Sequence, residues 1–173
     1  MANAVEAHRP DVRIDGPTPQ TIRLTVNGER HELSVEPRAT LLDALREELG
    51  LTGAKKGCDE GTCGTCTVLV DGKAIYACMT LALECEGREI ATIEGLTTGD
   101  ELHPIQRSFI EHDALQCGFC TPGQVMSLKG LLDEQPNPTE ADVQRAVAGN
   151  LCRCGAYPKI MEAALDAARR LNT

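Results

Sequence analysis

The chain has 173 residues, 17 lysines and arginines against 26 aspartates and glutamates for a net charge of −9, and an aromatic content of only 2%. No apolar run approaches the roughly 18 residues of a membrane helix, and an acidic, aromatic-poor chain lacks the basic patches and stacking platforms of nucleic-acid binders. Nine cysteines are too many for chance and too few for a disulfide-stapled miniprotein, which points to metal ligation or redox chemistry.

Residues 1–19, with Pro10, Pro17, Pro19 and Gly16, have no hydrophobic period and read as a flexible N-terminal arm. They lack the apolar core of a secretory signal and a twin-arginine pair. The expected compartment is the reducing cytoplasm, where clustered cysteines bind metal more often than they form disulfides. From Thr21 onward Ile22, Leu24 and Val26 alternate with polar residues, Asn27-Gly28 is a two-residue turn, and Leu33 and Val35 continue on the return: a β-hairpin. Thr40, with Asp43 three residues on, opens a short helix whose apolar stripe is Leu41, Leu42, Leu45 and Leu49, ending at Gly50.

A glycine- and cysteine-rich loop runs from Gly53 to Cys66, followed by a strand through Val70, the turn Asp71-Gly72 and a return strand through Ile75 and Tyr76 to Cys78. After Gly99 the period becomes helical. His103-Pro104, Thr121-Pro122, Thr139 and Tyr157-Pro158 mark four helix starts. A β-rich half followed by a helical half gives an α+β chain with domains expected at 20–98 and 99–173, each with its own cysteines.

Cys58, Cys63, Cys66 and Cys78 form a C-x4-C-x2-C pattern with a fourth cysteine further on, the plant-type spacing for a 2Fe-2S cluster. One loop must wrap the cluster with three thiolates inward, and Gly57, Gly61 and Gly64 allow that wrapping and bring backbone amides near the sulfurs. A thioredoxin-like Cys63–Cys66 pair, a structural zinc site and plain core cysteines are the competing readings. Cys117 and Cys120, then Cys152 and Cys154, form a second set on two interhelical loops, with Cys120 just before a helix start where the dipole favours anionic charge. Spacing alone leaves zinc open there.

Three stretches carry a more specific likeness: Gly57-Cys58-Asp59-Glu60-Gly61-Thr62-Cys63-Gly64-Thr65-Cys66, Gln116-Cys117-Gly118-Phe119-Cys120-Thr121-Pro122-Gly123 and Gly149-Asn150-Leu151-Cys152-Arg153-Cys154. In this order they resemble the small iron-sulfur subunit of the molybdenum hydroxylases, the xanthine oxidase family. The resemblance implies an N-terminal ferredoxin-like β-grasp domain, a C-terminal four-helix bundle and one 2Fe-2S cluster in each. It further implies a large partner subunit with a molybdopterin-type molybdenum cofactor and a medium subunit with FAD, as a heterotrimer or a dimer of heterotrimers. Electrons would pass from the molybdopterin to the cluster on Cys117, Cys120, Cys152 and Cys154, then to the flavin-side cluster on Cys58, Cys63, Cys66 and Cys78. Gln116 and Cys154 match the family positions that contact the pterin. Many relatives read Thr-Gly-Tyr after the last cysteine; the Gly155-Ala156-Tyr157-Pro158 of this chain resembles aldehyde-oxidising members.

Cys85 fits neither set and reads as a small core hydrophobe on or near a strand. Met79, Met126 and Met161 read as core fillers, and His31, His103 and His112 as solvated or capping residues. With eight cysteines in two sets and no acid, base or nucleophile constellation beside them, the chain reads as an electron-transfer subunit without a substrate site of its own. A zinc-stabilised interaction adaptor and a free-standing ferredoxin-like carrier are the rival functions.

Overall fold

The computed structural model describes residues 16–97 and 99–172; most of the expected N-terminal arm lies outside the described residues. Strands β1 (Gln20–Val26) and β2 (Glu29–Val35) pair antiparallel around Asn27-Gly28, both with positive φ. That is the geometry of a type I′ hairpin turn, which Asn-Gly favours. Alternation buries Ile22, Leu24 and Val26 on one face. Asn27 also anchors the turn: its Oδ1 accepts from the Thr92 N–H at 2.8 Å and its Nδ2 donates to Thr92 Oγ1 at 2.9 Å.

A second hairpin, β3 (Thr67–Val70) and β4 (Lys73–Tyr76), turns at Asp71-Gly72, again with positive φ at both positions. Strand β5 (Glu89–Ala91) runs parallel to β1 and antiparallel to β3, giving a mixed sheet in the order β2-β1-β5-β3-β4. Between the hairpins a single α turn, α1 (Leu41–Asp43), begins at Thr40, whose Oγ1 accepts from the Asp43 N–H at 3.1 Å. It widens into a π turn over Ala44–Glu48, so the expected regular helix is shorter than its apolar stripe suggests. Leu41, Leu42 and Leu45 still reach the core beneath the sheet.

Two expectations are corrected here. Cys78 lies on a 3₁₀ turn, Ala77–Met79, beyond the end of β4, and Met79 is 63% exposed instead of filling the core. Cys85 is fully buried on another short turn, Ala82–Cys85, as a core residue.

The second half holds helices α2 (Pro104–Glu111), α3 (Thr121–Glu134), α4 (Glu140–Val147) and α5 (Tyr157–Leu171). Each starts where a proline or capping residue stands at its N-terminus; His103 Nδ1 accepts from the Ile105 N–H at 3.3 Å and Thr139 caps α4. A separate apolar core, including Ile105, Phe109, Leu128, Val143 and Ile160, fills the space between them. Ala163, Ala164, Ala167 and Ala168 make α5 narrow where α2 packs. Buried Ser108 donates across this contact to Asp166 Oδ2 at 2.8 Å. Among the described residues no helix is long and apolar enough to cross a membrane.

The halves meet at β3, which is buried at every residue because the sheet core covers one face and α3 the other. At Gly130 of α3 an added Cβ would stand only 3.1 Å from Leu69 Cδ2, so a small residue sets this close approach. Beside it the loop carrying the first cysteines runs against the loop carrying the last two.

Candidate functional site

The first cysteine loop is closed at its base by reciprocal bonds. The Lys55 N–H donates to Thr65 O at 3.0 Å and Thr65 Oγ1 donates to Lys55 O at 3.1 Å. Arg46 holds the incoming chain by donating to Thr52 O at 3.0 Å and Ala54 O at 2.8 Å. Within this frame Cys58 and Cys63 are half-buried, whereas Cys66 and Cys78 are buried. Cys58 neighbours Cys63, Cys66 neighbours Cys78, and all four thiols lie close enough to act on the Tyr76 hydroxyl, whose pKa is raised first by burial and then by these thiols.

The second set repeats this arrangement. Cys120 is the N-cap of α3 and Cys152 and Cys154 precede α5, so two helix N-termini border the thiols. Cys117 and Cys154 are exposed with their sulfurs 3.5 Å apart, while half-buried Cys120 lies beside buried Cys152. Gln116 is exposed next to Cys117. The structure therefore brings together the eight cysteines that the spacing grouped, as an outer and an inner pair in each set, and leaves Cys85 apart in the core.

Amide donors surround the sulfurs. The Thr62 N–H points at Cys58 Sγ at 3.3 Å and the Ala156 N–H at Cys152 Sγ at 3.4 Å. Cys58 is lowered to about 6, chiefly by the Thr62 hydroxyl and then by the Glu60 N–H, and Cys117 is lowered chiefly by the Phe119 N–H. Burial works against Cys152, but the Ala156 N–H, the Cys120 thiol and the Gly155 and Cys154 N–H groups outweigh it and lower its pKa. Burial pushes Cys66 and Cys120 up to about 12.

In the cluster-free chain, iodoacetamide at pH 7 is therefore expected to modify Cys58 and Cys117 before Cys66 and Cys120, because the thiolate is the nucleophile. Below about pH 6 the Cys58 reaction should slow as its thiolate protonates. A peptide-mapping time course reads both effects; modification of Cys66 or Cys120 first would contradict this order.

The donor set fits a two-iron cluster. Each iron of a 2Fe-2S centre takes two thiolates, and each set offers two pairs with amide donors to the sulfurs. Among the described residues no three His, Cys, Asp or Glu side chains converge on a position for a single metal ion. The loop is also tightly wound: a Cβ at Gly57 would stand 2.7 Å from Thr65 Oγ1 and 3.0 Å from Cys63 Sγ, so a residue without a side chain lets it close.

Several supporting residues carried no spacing signal. Thr65 Oγ1 lies 3.2 Å from Cys63 Sγ, and Tyr157 Oη accepts from the Cys152 N–H at 2.7 Å. Asn150, in the Gly149–Cys154 stretch, is buried between the two loops. Its only clue was an amide amid residues that had to pack.

Residues 24–97 match the family described as a 2Fe-2S iron-sulfur cluster binding domain, and residues 92–165 match the [2Fe-2S] binding domain family. The aldehyde oxidoreductase iron-sulfur-binding subunit PaoA of Escherichia coli O157:H7 is 47% identical over 174 residues, covering 91% of this chain and 76% of that protein. The nicotine 6-hydroxylase small subunit of Paenarthrobacter nicotinovorans is 51% identical over 146 residues, covering 84% and 88%. A crystal structure of quinoline 2-oxidoreductase from Pseudomonas putida 86 superposes with a TM-score of 0.84 at 47% identity, covering 88% of this chain and 98% of that one. With two 2Fe-2S family matches end to end and relatives of this identity, the chain belongs to the iron-sulfur subunit family of the molybdenum hydroxylases.

Proposed function

We propose that this chain is the electron-transfer subunit of a molybdenum-dependent hydroxylase complex. It would accept electrons from a molybdopterin centre in a large partner subunit and deliver them toward FAD in a medium subunit. Cys58, Cys63, Cys66 and Cys78 hold one 2Fe-2S cluster; Cys117, Cys120, Cys152 and Cys154 hold the other. Bound there, each cluster supplies a one-electron redox couple.

The observation that carries this reading is the pairing of thiols, inner pair covered and outer pair toward the surface, in both sets. The exposed Cys117 and Cys154, with exposed Gln116 beside them, make the second set the one to meet a partner's pterin, with Gln116 using its amide. Exposed Ile110, Leu115 and Phe119 on the same half give an apolar surface suited to a permanent partner, which favours a dedicated subunit over a freely diffusing carrier. The two apolar cores support domains at 20–98 and 99–173, with α2–α5 arranged as a four-helix bundle. We place the complex in the cytoplasm as a heterotrimer, because clustered cysteines that bind metal suit a reducing compartment.

The relatives act, by their names, on an aldehyde, on nicotine and on quinoline. Gly155 to Tyr157 supports Cys152 and starts α5, through the Tyr157 hydroxyl and the Ala156 N–H, and so serves the cysteine set. An aldehyde is the substrate class we favour, from the form of that segment and the 47% identical aldehyde oxidoreductase subunit.

Purifying the native complex through a tag on this chain tests the reading. The expected preparation contains molybdenum and iron at about 1:4 together with FAD, and an aldehyde bleaches its iron-sulfur absorption. An iron-loaded chain that purifies without molybdenum would overturn the subunit assignment in favour of a carrier.

A further inference from the structure

The two cysteine loops touch along one buried polar seam. Asn150 is 3% exposed, and its Nδ2 donates to Gly64 O at 2.8 Å and to Thr67 Oγ1 at 3.2 Å. Its Oδ1 accepts from Ser127 Oγ at 2.9 Å, and its backbone carbonyl accepts from Gln124 Nε2 at 2.8 Å. A buried amide is costly unless its donors and acceptor are met. This side chain meets both of its N–H bonds and its oxygen, and two of the three partners belong to the first half of the chain. That is the arrangement of a clamp, where an apolar residue would fill space without fixing register.

The clamp holds a short connection. The next N–H, that of Leu151, donates to Cys63 O at 2.9 Å, and Leu151 is covalently joined to Cys152. From the Cys63 sulfur to the Cys152 sulfur the path runs through the Cys63 backbone, one hydrogen bond and the Leu151–Cys152 peptide, with no gap through space. A backbone carbonyl of this loop also accepts from the first half, Gly149 O from Tyr76 Oη at 3.3 Å, but that bond is longer and ends three residues short of Cys152.

We propose that Asn150 is the positioning residue for electron passage between the two cysteine sets, and that the Cys63 C=O···H–N Leu151 bond it holds is the crossing point. This rests on the reading of the eight cysteines as cluster ligands. With clusters held by the two sets, each passage would take one electron from the Cys152 side and add it to the Cys63 side. No proton moves and no covalent bond changes.

The test uses the full chain loaded with both clusters. Asn150→Ala should keep about four irons and both S = 1/2 EPR signals. The low-temperature splitting caused by coupling between the two reduced centres should weaken. Electron redistribution between the centres after flash photoreduction should slow by roughly tenfold, within the up to ~100-fold that a misplacement of about 1 Å can cost. Leu151→Pro, which removes the N–H itself, should act in the same direction and more strongly. Wild-type splitting and redistribution in both variants would overturn the proposal. If either fails to load, Ser127→Ala removes only the partner of Asn150 Oδ1 and should still slow redistribution by about 2- to 3-fold, the scale of one neutral hydrogen bond of about 0.5 kcal/mol; a wild-type rate there also overturns it. A wild-type chain that binds fewer than two clusters would instead refute the ligand reading.

Discussion

Cys66→Ser and Cys152→Ser are each expected to remove one cluster and leave the other. Iron should fall from about four to about two per chain, and one of two EPR signals should vanish in each variant, a different one each time. Cys66 and Cys152 are buried members of the inner pairs, so no solvent-exposed thiol stands ready to replace either. A serine hydroxyl is a poor substitute for a thiolate toward iron. Because the two sets act in series, either loss should cut turnover of the assembled complex at least about 100-fold, the upper range for disturbing even the groups that support a metal ligand. Cys85→Ser serves as the contrast: Cys85 is fully buried in the first core and none of the other thiols acts on it, so the variant should lose stability but keep both signals. Iron analysis, EPR and steady-state turnover check all three variants. Full iron and full turnover in Cys66→Ser or Cys152→Ser would sink the cluster assignment.

The second large effect is expected at Gly64. Its φ of +68° is unfavourable for any residue with a Cβ, and an added Cβ would stand 2.5 Å from Gly149 O and 2.9 Å from Asn150 Cα. Backbone strain of about 1–2 kcal/mol adds to an overpacking cost of about 1–3 kcal/mol, so Gly64→Ala should lose about 2–5 kcal/mol. For a chain of this size that lowers Tm by roughly 5–20 °C. Two other glycines separate the contributions. Gly118 has φ +78° and open space around its Cβ position, so Gly118→Ala should show the strain alone. Gly123 has ordinary φ, but a Cβ there would stand 2.3 Å from Gly64 O, so Gly123→Ala should show the steric part alone. Thermal unfolding of the three variants checks the order Gly64 worst and Gly118 mildest; equal losses would contradict the close packing of the seam.

The local part of this architecture is legible in the sequence for a physical reason: turns and caps are decided by a few adjacent residues. Asn27-Gly28 and Asp71-Gly72 carry positive φ, and His103-Pro104, Thr121-Pro122, Thr139 and Tyr157-Pro158 open the helices where expected. The cysteine sets are legible because a wrapping loop imposes its spacing on the chain. What depends on distant partners is not. Asn150 gains its role from Gly64 and Thr67, 86 and 83 residues away, and no local period encodes such a contact. Met79 reads as a core filler by its residue type, yet the chain leaves the sheet there on a tight turn that points it outward over Gly61. The stripe of Leu41, Leu42 and Leu45 encodes burial but not the widening of the turn beneath it.

The measurement that bears most directly on the assignment is the iron and acid-labile sulfide content of the purified chain, paired with low-temperature EPR after dithionite reduction. Two clusters require about four irons and four sulfides per chain, with two distinct S = 1/2 signals. Zinc without iron in an anaerobic preparation would contradict it, because a colourless, redox-inert ion at these thiols cannot carry electrons.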